Sequence, residues 1–250
     1  MIELLRWCRR TVRRGLRKRW QRARPHDKSH IRSVREGIDT RRWNALRDEW
    51  TARDSRDFNH FYIKYFDIDR WLPGAMAVAH NAGLDRGPRK RVLDLGCGGG
   101  LLGRVVGHFG HDYCGLDVGN PMFMAMCEAL GVKALVAPVL RRQPLPEGLT
   151  GYDVITSIIP MFYRREVVEG RFDQYDWDDG DWIFFLADLR SRLRPDGIYY
   201  SKFNAEDELP PGLWKLLDGC RRLDQKTFLI RRDQLPESAA FPLTVPAVQS

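Results

Sequence analysis

Four glycines fall within five positions, at Gly96, Gly98, Gly99 and Gly100, directly after the apolar residues Val92, Leu93 and Leu95. No other stretch limits the fold as much. A short apolar run bounded by turn residues suits a buried strand. Glycine reaches positive φ without penalty and lets a ligand approach the backbone. The apolar segment 101–109 that follows reads as a helix. A strand, a glycine turn and a helix N-terminus together aim backbone N–H groups at a ligand.

Such a turn also occurs in dinucleotide-binding enzymes and in loops that bind nothing. Asp94, two residues before the first glycine, changes the chemistry. A carboxylate there repels a pyrophosphate and suits a cationic ligand. A second run, D-Y-C-G-L-D at 112–117, reads as a strand ending in Asp117, 23 residues after Asp94. An acidic residue at that kind of spacing is the usual partner of ribose hydroxyls in this architecture.

D-L-G-C-G-G-G followed by G-L-D resembles the first two motifs of the class I S-adenosylmethionine-dependent methyltransferases, bacterial type. The resemblance covers residues 89–204. It implies a Rossmann-like α/β fold: a mostly parallel seven-stranded sheet, complete or truncated at its last hairpin, flanked by helices behind an N-terminal helical extension. It implies S-adenosylmethionine as cofactor. Gly96, Cys97 and Gly98 would line its methionine part, and Cys97 fits there as a small residue rather than a nucleophile. Asp94 would hold the amino group, Asp117 the ribose hydroxyls, and Val118 would flank the adenine. The family's acidic residue after the third strand is absent. Residues 137–139 read A-P-V, so backbone groups at Pro138 and Val139 would supply that contact. Ser157, at the end of the strand Y-D-V-I-T-S, would border cofactor and substrate. The L-R-P-D-G turn at 193–197 is also typical of the family. Its closing antiparallel hairpin is half visible, with 227–231 a clear strand and 220–223 left as its partner. A nicotinamide-type turn or a vestigial site is the alternative.

The chain has 250 residues, enough for one α/β domain with additions. No run of 18 apolar residues exists, so a spanning helix is not expected. Five cysteines lie scattered without a C-x-x-C pair, which fits reduced thiols in a cytoplasmic protein better than disulfides or zinc. No spacing of His, Cys or paired carboxylates asks for a metal. The net charge of +8 is uneven: residues 1–24 carry +9 and the other 226 carry −1. A broad nucleic-acid-binding face on the body is therefore not expected.

Four regions follow. Residues 1–24 are a basic amphipathic arm, with Ile2, Leu5, Cys8, Val12, Leu16 and Trp20 on one stripe. It suits the anionic inner face of a membrane, and RNA binding, targeting or an inert arm are the other readings. Residues 25–85 form a helical cap or lid. Within it, 25–33 reads as a polar linker, 38–56 as a helix with Trp43, Leu46 and Trp50 on one side, and 76–82 as a second helix. Residues 86–234 are the cofactor-binding domain, and 235–250 a loose tail.

Methyl transfer from a sulfonium is an in-line displacement that converts positive sulfur to a neutral thioether. Positioning then supplies most of the rate. A general base is needed only for a hydroxyl or a protonated amine. His60, Tyr163 and Asp173 are the candidates, with Asp176, Asp178, Asp179 and Asp181 in the same aromatic and acidic stretch at 160–182. Tyr62 and Tyr65 join His60 as candidate lid or substrate-wall residues. Against this, aromatic stripes more often belong to a core, and acidic runs to solvated loops. The reading is methyl transfer to a small molecule, sugar or lipid-linked glycan, O-methylation first. An RNA methyltransferase tethered by the arm, or a degenerate cofactor-binding interaction protein, are the rivals.

Overall fold

The computed structural model describes residues 25–53, 60–163, 165–168, 171–174, 176–204 and 209–237. The basic arm at 1–24 and the end of the tail at 238–250 lie outside them. Backbone packing divides the chain into two compact units, Met1–Val136 and Ala137–Ser250. The main sheet has seven strands, three in the first unit and four in the second.

The first unit runs α1 (Pro25–Glu36), α2 (Thr40–Ala52), a 3-10 helix (His60–Phe66), α3 (Ile68–Asn81), β1 (Arg91–Leu95), α4 (Leu101–His108), β2 (Asp112–Asp117), α5 (Pro121–Ala129) and β3 (Ala134–Val136). Its strands are parallel, in the order β3-β2-β1. Four of the five β1 residues are buried. That near-continuous burial is what a parallel strand covered on both faces requires.

The stretch expected as a polar linker is helical. Ile31 and Val34, one turn apart, are buried, and α1 packs on α3 and α4. Docking of one apolar stripe outweighs the polar composition, because helix stability in proteins comes mostly from tertiary packing. Helix α2 forms as expected. Asp39 caps it by accepting the Arg42 N–H at 3.0 Å, and Trp43 donates Nε1–H to the Phe66 carbonyl at 3.0 Å. Helix α3 starts at Ile68, eight residues ahead of the expected start. Pro73 inside it lacks the N–H that would reach Asp69, a cost offset by the Asp67 cap and by burial of Leu72, Met76 and Ala79.

Ile38, Trp43, Trp50 and Phe66 share one core with Met122, Met126 and Leu130. Burial of each tryptophan contributes roughly 2–3 kcal/mol. Residues of the region expected as a helical cap therefore pack in the same compact unit as the first three strands.

The second unit runs β4 (Tyr152–Ile158), β5 (Arg165–Val168), β6 (Arg171–Gln174), α6 (Asp179–Arg192), β7 (Leu193–Lys202), α7 (Pro211–Leu217), β8 (Arg221–Asp224) and β9 (Thr227–Arg231). Its part of the main sheet has the order β4-β7-β9-β8. β4 and β7 are parallel, and β9 is antiparallel to both β7 and β8. The closing hairpin is thus complete, not truncated, and its outer strand lies one residue later than 220–223. The R-P-D-G turn is taken into β7 as a register jump between Tyr152↔Leu193 and Val154↔Ile198.

Residues 160–182 are not one loop. β5 and β6 form a separate antiparallel hairpin, and α6 begins at Asp179. Phe162, Tyr163, Trp177, Trp182, Phe185 and Phe203 pack ring against ring. The tail stays anchored through Glu237: Leu235 is buried, and Arg190 pairs with Glu237 at 2.7 Å.

Candidate functional site

In the first unit, the turn after β1 is held by β2. The N–H groups of Gly96 and Cys97 both donate to the Leu116 carbonyl, at 2.8 and 3.0 Å. The Gly98 N–H donates to Asp117 Oδ2 at 2.9 Å. Gly96, Gly98 and Gly100 take φ of 74°, 51° and 76°, where any side chain would be strained. The glycines divide into two sets. A Cβ added at Gly96 or Gly98 would meet nothing within 4 Å. One added at Gly99 would strike Met126 at 2.5 Å, and one at Gly100 would strike Cys127 at 2.8 Å. The first pair leaves open space over the turn. The second pair lets α5 pack beneath it.

Asp94 and Asp117 end up as buried carboxylates beside this space, 3% and 8% exposed. Tyr113 donates its phenol to Asp94 Oδ2 at 2.7 Å. Burial, with the Asp94 charge next to it, pushes the Tyr113 phenol well above its usual range, so it stays a donor. Tyr113 is a positioning residue that the sequence did not single out. Its signal was an aromatic ring at the second position of the strand D-Y-C-G-L-D, beside β1.

Asp117 receives several N–H groups, from Gly98, Val118, Gly119 and Asn120. Burial nevertheless dominates and raises its pKa above the ordinary carboxylate value. Cys97 packs against β2, where a Cβ on Gly115 would meet its sulfur at 2.6 Å. Hydrogen bonding with the Cys127 thiol, then burial, then the Asp94 charge raise its pKa, so it is no nucleophile.

Val118 is 49% exposed and Val136 66%. They stand at the carboxyl ends of adjacent strands, where Asp117 pairs in register with Val136. The missing Cβ of Gly119 lies 2.7 Å from Val136 Cγ1. An apolar edge thus flanks Asp117. Val136 was missed in the sequence because the adenine contact was sought after the third strand, at 137–139, and not within it.

In the second unit, Pro138 is exposed while the Val139 side chain is buried, which leaves only its backbone for any contact. Ser157 is fully buried, its hydroxyl 2.6 Å from the Tyr199 phenol. Two positions further, Ile159 has φ of 52° and donates its N–H to the Lys202 carbonyl at 2.7 Å. A β-branched residue in that region stores about 1–3 kcal/mol of strain, which is typical of functional turns.

The candidate bases separate as well. The His60 and Asp173 side chains lie outside the described residues; Asp173 falls on β6 opposite Glu166. Tyr163 is 4% exposed within the aromatic cluster. Asp178 and Asp181 form a capping box at the start of α6, with Asp178 accepting the Asp181 N–H at 2.8 Å and Asp181 the Asp178 N–H at 3.0 Å. Arg142 reaches Asp181 at 2.6 Å. Asp179 accepts the Leu213 N–H at 3.1 Å, at the start of α7. These three aspartates are structural.

Among the described residues, no group of three or more His, Cys, Asp and Glu side chains could hold a metal ion, and no helix is long and apolar enough to cross a membrane.

No protein-family model matches the chain. It is similar to the tRNA U34 carboxymethyltransferase of Pseudomonas paraeruginosa, 31% identical over 87 residues, covering 32% of this chain and 26% of that protein. It is also similar to the ubiquinone biosynthesis O-methyltransferase of Aliivibrio fischeri, 40% identical over 72 residues, covering 28% of this chain and 31% of that one. The chain thus spans about a third or less of the length of these relatives. The solved TehB-like SAM-dependent methyltransferase of Corynebacterium glutamicum is 21% identical over 53% of this chain and 62% of its own, with a TM-score of 0.39. The chain thus combines Asp94 and Asp117 at the ends of parallel strands around an open glycine turn, and a sheet closed by an antiparallel hairpin, with similarity to methyltransferases over about a third of its length.

Proposed function

We propose that this protein transfers the methyl group of S-adenosylmethionine to a small-molecule, sugar or lipid-linked glycan acceptor, with a hydroxyl as the receiving group. One observation carries the cofactor assignment: the Asp117 carboxylate is tied to the Gly98 N–H beside open space over Gly96 and Gly98. That cradle fits the group. Asp94, oriented by Tyr113, suits the cofactor's amino group, and Asp117 its ribose hydroxyls. Val118 and Val136 offer an apolar edge for the adenine ring. When bound, the cofactor supplies an electrophilic methyl on a sulfonium. The chain's own residues then bind, orient and exclude water, since positioning accounts for most of such a rate.

The relative that O-methylates in ubiquinone biosynthesis supports a hydroxyl acceptor, and the one that modifies tRNA keeps RNA as the second reading. Calorimetric titration with S-adenosylmethionine and S-adenosylhomocysteine tests the cofactor. Micromolar binding, weakened by Asp117→Ala, is expected. Absence of binding to folded protein overturns the reading. A methyl-transfer screen over sugars, phenols, glycolipid precursors and RNA then tests the acceptor.

The arm at 1–24, with its charge of +9, is proposed to hold the enzyme at an anionic membrane surface in the cytoplasm. Sedimentation with phosphatidylglycerol vesicles, lost at high salt and absent with phosphatidylcholine, is the expected result. Tighter salt-dependent binding to RNA than to vesicles would replace this with the RNA reading.

A further inference from the structure

The direction of α1 fixes where the basic arm leaves the first unit. His30 Nδ1 lies 3.0 Å from His108 Nε2, and the His30 ring packs on Phe109 with centroids 4.9 Å apart. At the other end, just past Glu36, the Gly37 carbonyl accepts from the Arg104 guanidinium at 2.5 Å. Helix α1 is therefore antiparallel to α4. Helix α4 starts at the glycine turn and ends at His108, shortly before β2 begins. The Arg35–Asp69 pair at 3.3 Å agrees with this direction. Asp69 is in the first turn of α3, and α3 leads down to the start of β1, where Lys90 Nζ donates to the Gly83 carbonyl at 2.8 Å. Pro25 precedes His30 by about 7–8 Å of helix, on the side of the amino ends of β1–β3. The arm, with its charge of +9, departs from there.

That end of the unit is itself basic. The segments that lead into β1, β2 and β3 are 85–91, 111–112 and 132–133. They carry Arg86, Arg89, Lys90, Arg91 and Lys133 against Asp85 and Asp112. Both acids enter this balance with their pairs: Arg89 bridges to Asp112, and Arg86 lies 4.0 Å from Asp85. An excess of three positive charges remains. Arg86, Arg89, Arg91 and Lys133 are exposed. The segments that leave β1 and β2, 94–100 and 117–120, carry Asp94 and Asp117 and no base. Charge is thus polarised along the strands. The basic end is separated from the glycine turn by the five residues of β1, about 17 Å. Like charges on the arm and on this face sum to one field, and an anionic surface is complementary to both. The arm's stripe of Ile2, Leu5, Val12, Leu16 and Trp20 adds apolar area that the headgroup–acyl boundary of a bilayer takes up and a phosphodiester backbone does not.

We infer that the amino-end face of β1–β3, through Arg86, Arg89, Arg91 and Lys133, joins the arm in one docking surface for anionic phospholipid headgroups. This rests on the membrane reading of the arm and adds to it the part played by the folded body and the orientation of the enzyme. The glycine turn points away from the bilayer, and the acceptor's reactive group meets it from the aqueous side.

The test uses the full chain and phosphatidylcholine vesicles with and without phosphatidylglycerol. Arg86→Ala combined with Lys133→Ala should weaken binding to the anionic vesicles roughly tenfold, at unchanged melting temperature. Arg35→Ala, at the far end of α1 from the arm, should change it by about twofold at most. In hydrogen–deuterium exchange, anionic vesicles should slow the amides of 84–90 and leave those of 96–100 unchanged. Vesicle binding insensitive to the double variant, or protection of 96–100 in place of 84–90, would overturn the inference and leave the arm as the sole anchor. Failure of the full chain to bind anionic vesicles would overturn the membrane reading and this inference together. Tighter binding to RNA than to the vesicles, weakened by the same double variant, would give the face to RNA and overturn the phospholipid partner.

Discussion

The turn after β1 and the approach to α6 are both dense in one residue type, glycine in the first and aspartate in the second. They have opposite fates. Gly96 and Gly98 face open space, and the carboxylate that braces them sits at the rim of that space. Asp178, Asp179 and Asp181 accept from the N–H groups at helix N-termini, and Arg142 reaches Asp181 as well, so each already serves a structural bond. A cluster of suggestive residues becomes a site only where space and polar capacity remain after folding. The glycine run itself repeats the distinction, since Gly99 and Gly100 serve packing against Met126 and Cys127.

The sharpest way to break this comparison is Gly98→Val. Its side chain would enter the open space, and S-adenosylhomocysteine binding should become undetectable by calorimetry. The positive φ adds a stability loss of about 1–2 kcal/mol, seen as a lower melting temperature. Wild-type affinity in a folded Gly98→Val protein would mean that the space is not the cofactor's.

Asp117→Asn comes next. Loss of charge-assisted hydrogen bonds should cost about 2–3 kcal/mol of binding, a roughly 30- to 150-fold rise in Kd. Burial raises the Asp117 pKa in the folded protein, so the folded state holds that proton more tightly than the unfolded chain. Ionised Asp117 therefore costs stability above its folded pKa, and the cost fades as pH falls through that value toward the ordinary carboxylate range. Cofactor affinity, which needs the ionised form, should begin to fall on acidification above the ordinary carboxylate range. Asp117→Asn should flatten that profile, and an unchanged profile would assign the titration to another group.

Asp181→Ala probes the other region. It should lower stability by about 1–3 kcal/mol, through loss of the capping box and of a buried acceptor for Arg142. Cofactor affinity should stay within twofold. The smallest effect is expected from Asp178→Ala, about 1 kcal/mol of stability by denaturant titration, because its oxygens are exposed and serve mainly as a cap. A large loss of methyl transfer in either variant at unchanged stability would return these acids to the catalytic list.

The strand, the glycine turn and the carboxylates Asp94 and Asp117 were legible in the chain because their signals are local. A glycine needing positive φ, a carboxylate ending a strand and the short apolar run Val92, Leu93 and Leu95 all act within a few residues of themselves. The clear strands Y-D-V-I-T-S and T-F-L-I-R were found for the same reason. Other features depended on partners far along the sequence. Residues 25–33 looked like a linker until α1 met α3 and α4. The acidic stretch looked reactive until Arg142 and the Leu213 N–H reached it from outside.

The sequence by itself determined the class of fold and the glycine turn with its two carboxylates, Asp94 and Asp117. Only the tertiary structure decided which carboxylates are tied up in capping, which glycines face open space, and that Tyr62, Tyr65, Trp71 and Phe123 pack ring against ring. Hydrogen-bond capacity and open space are what is left after distant segments have packed, and no local pattern records that remainder.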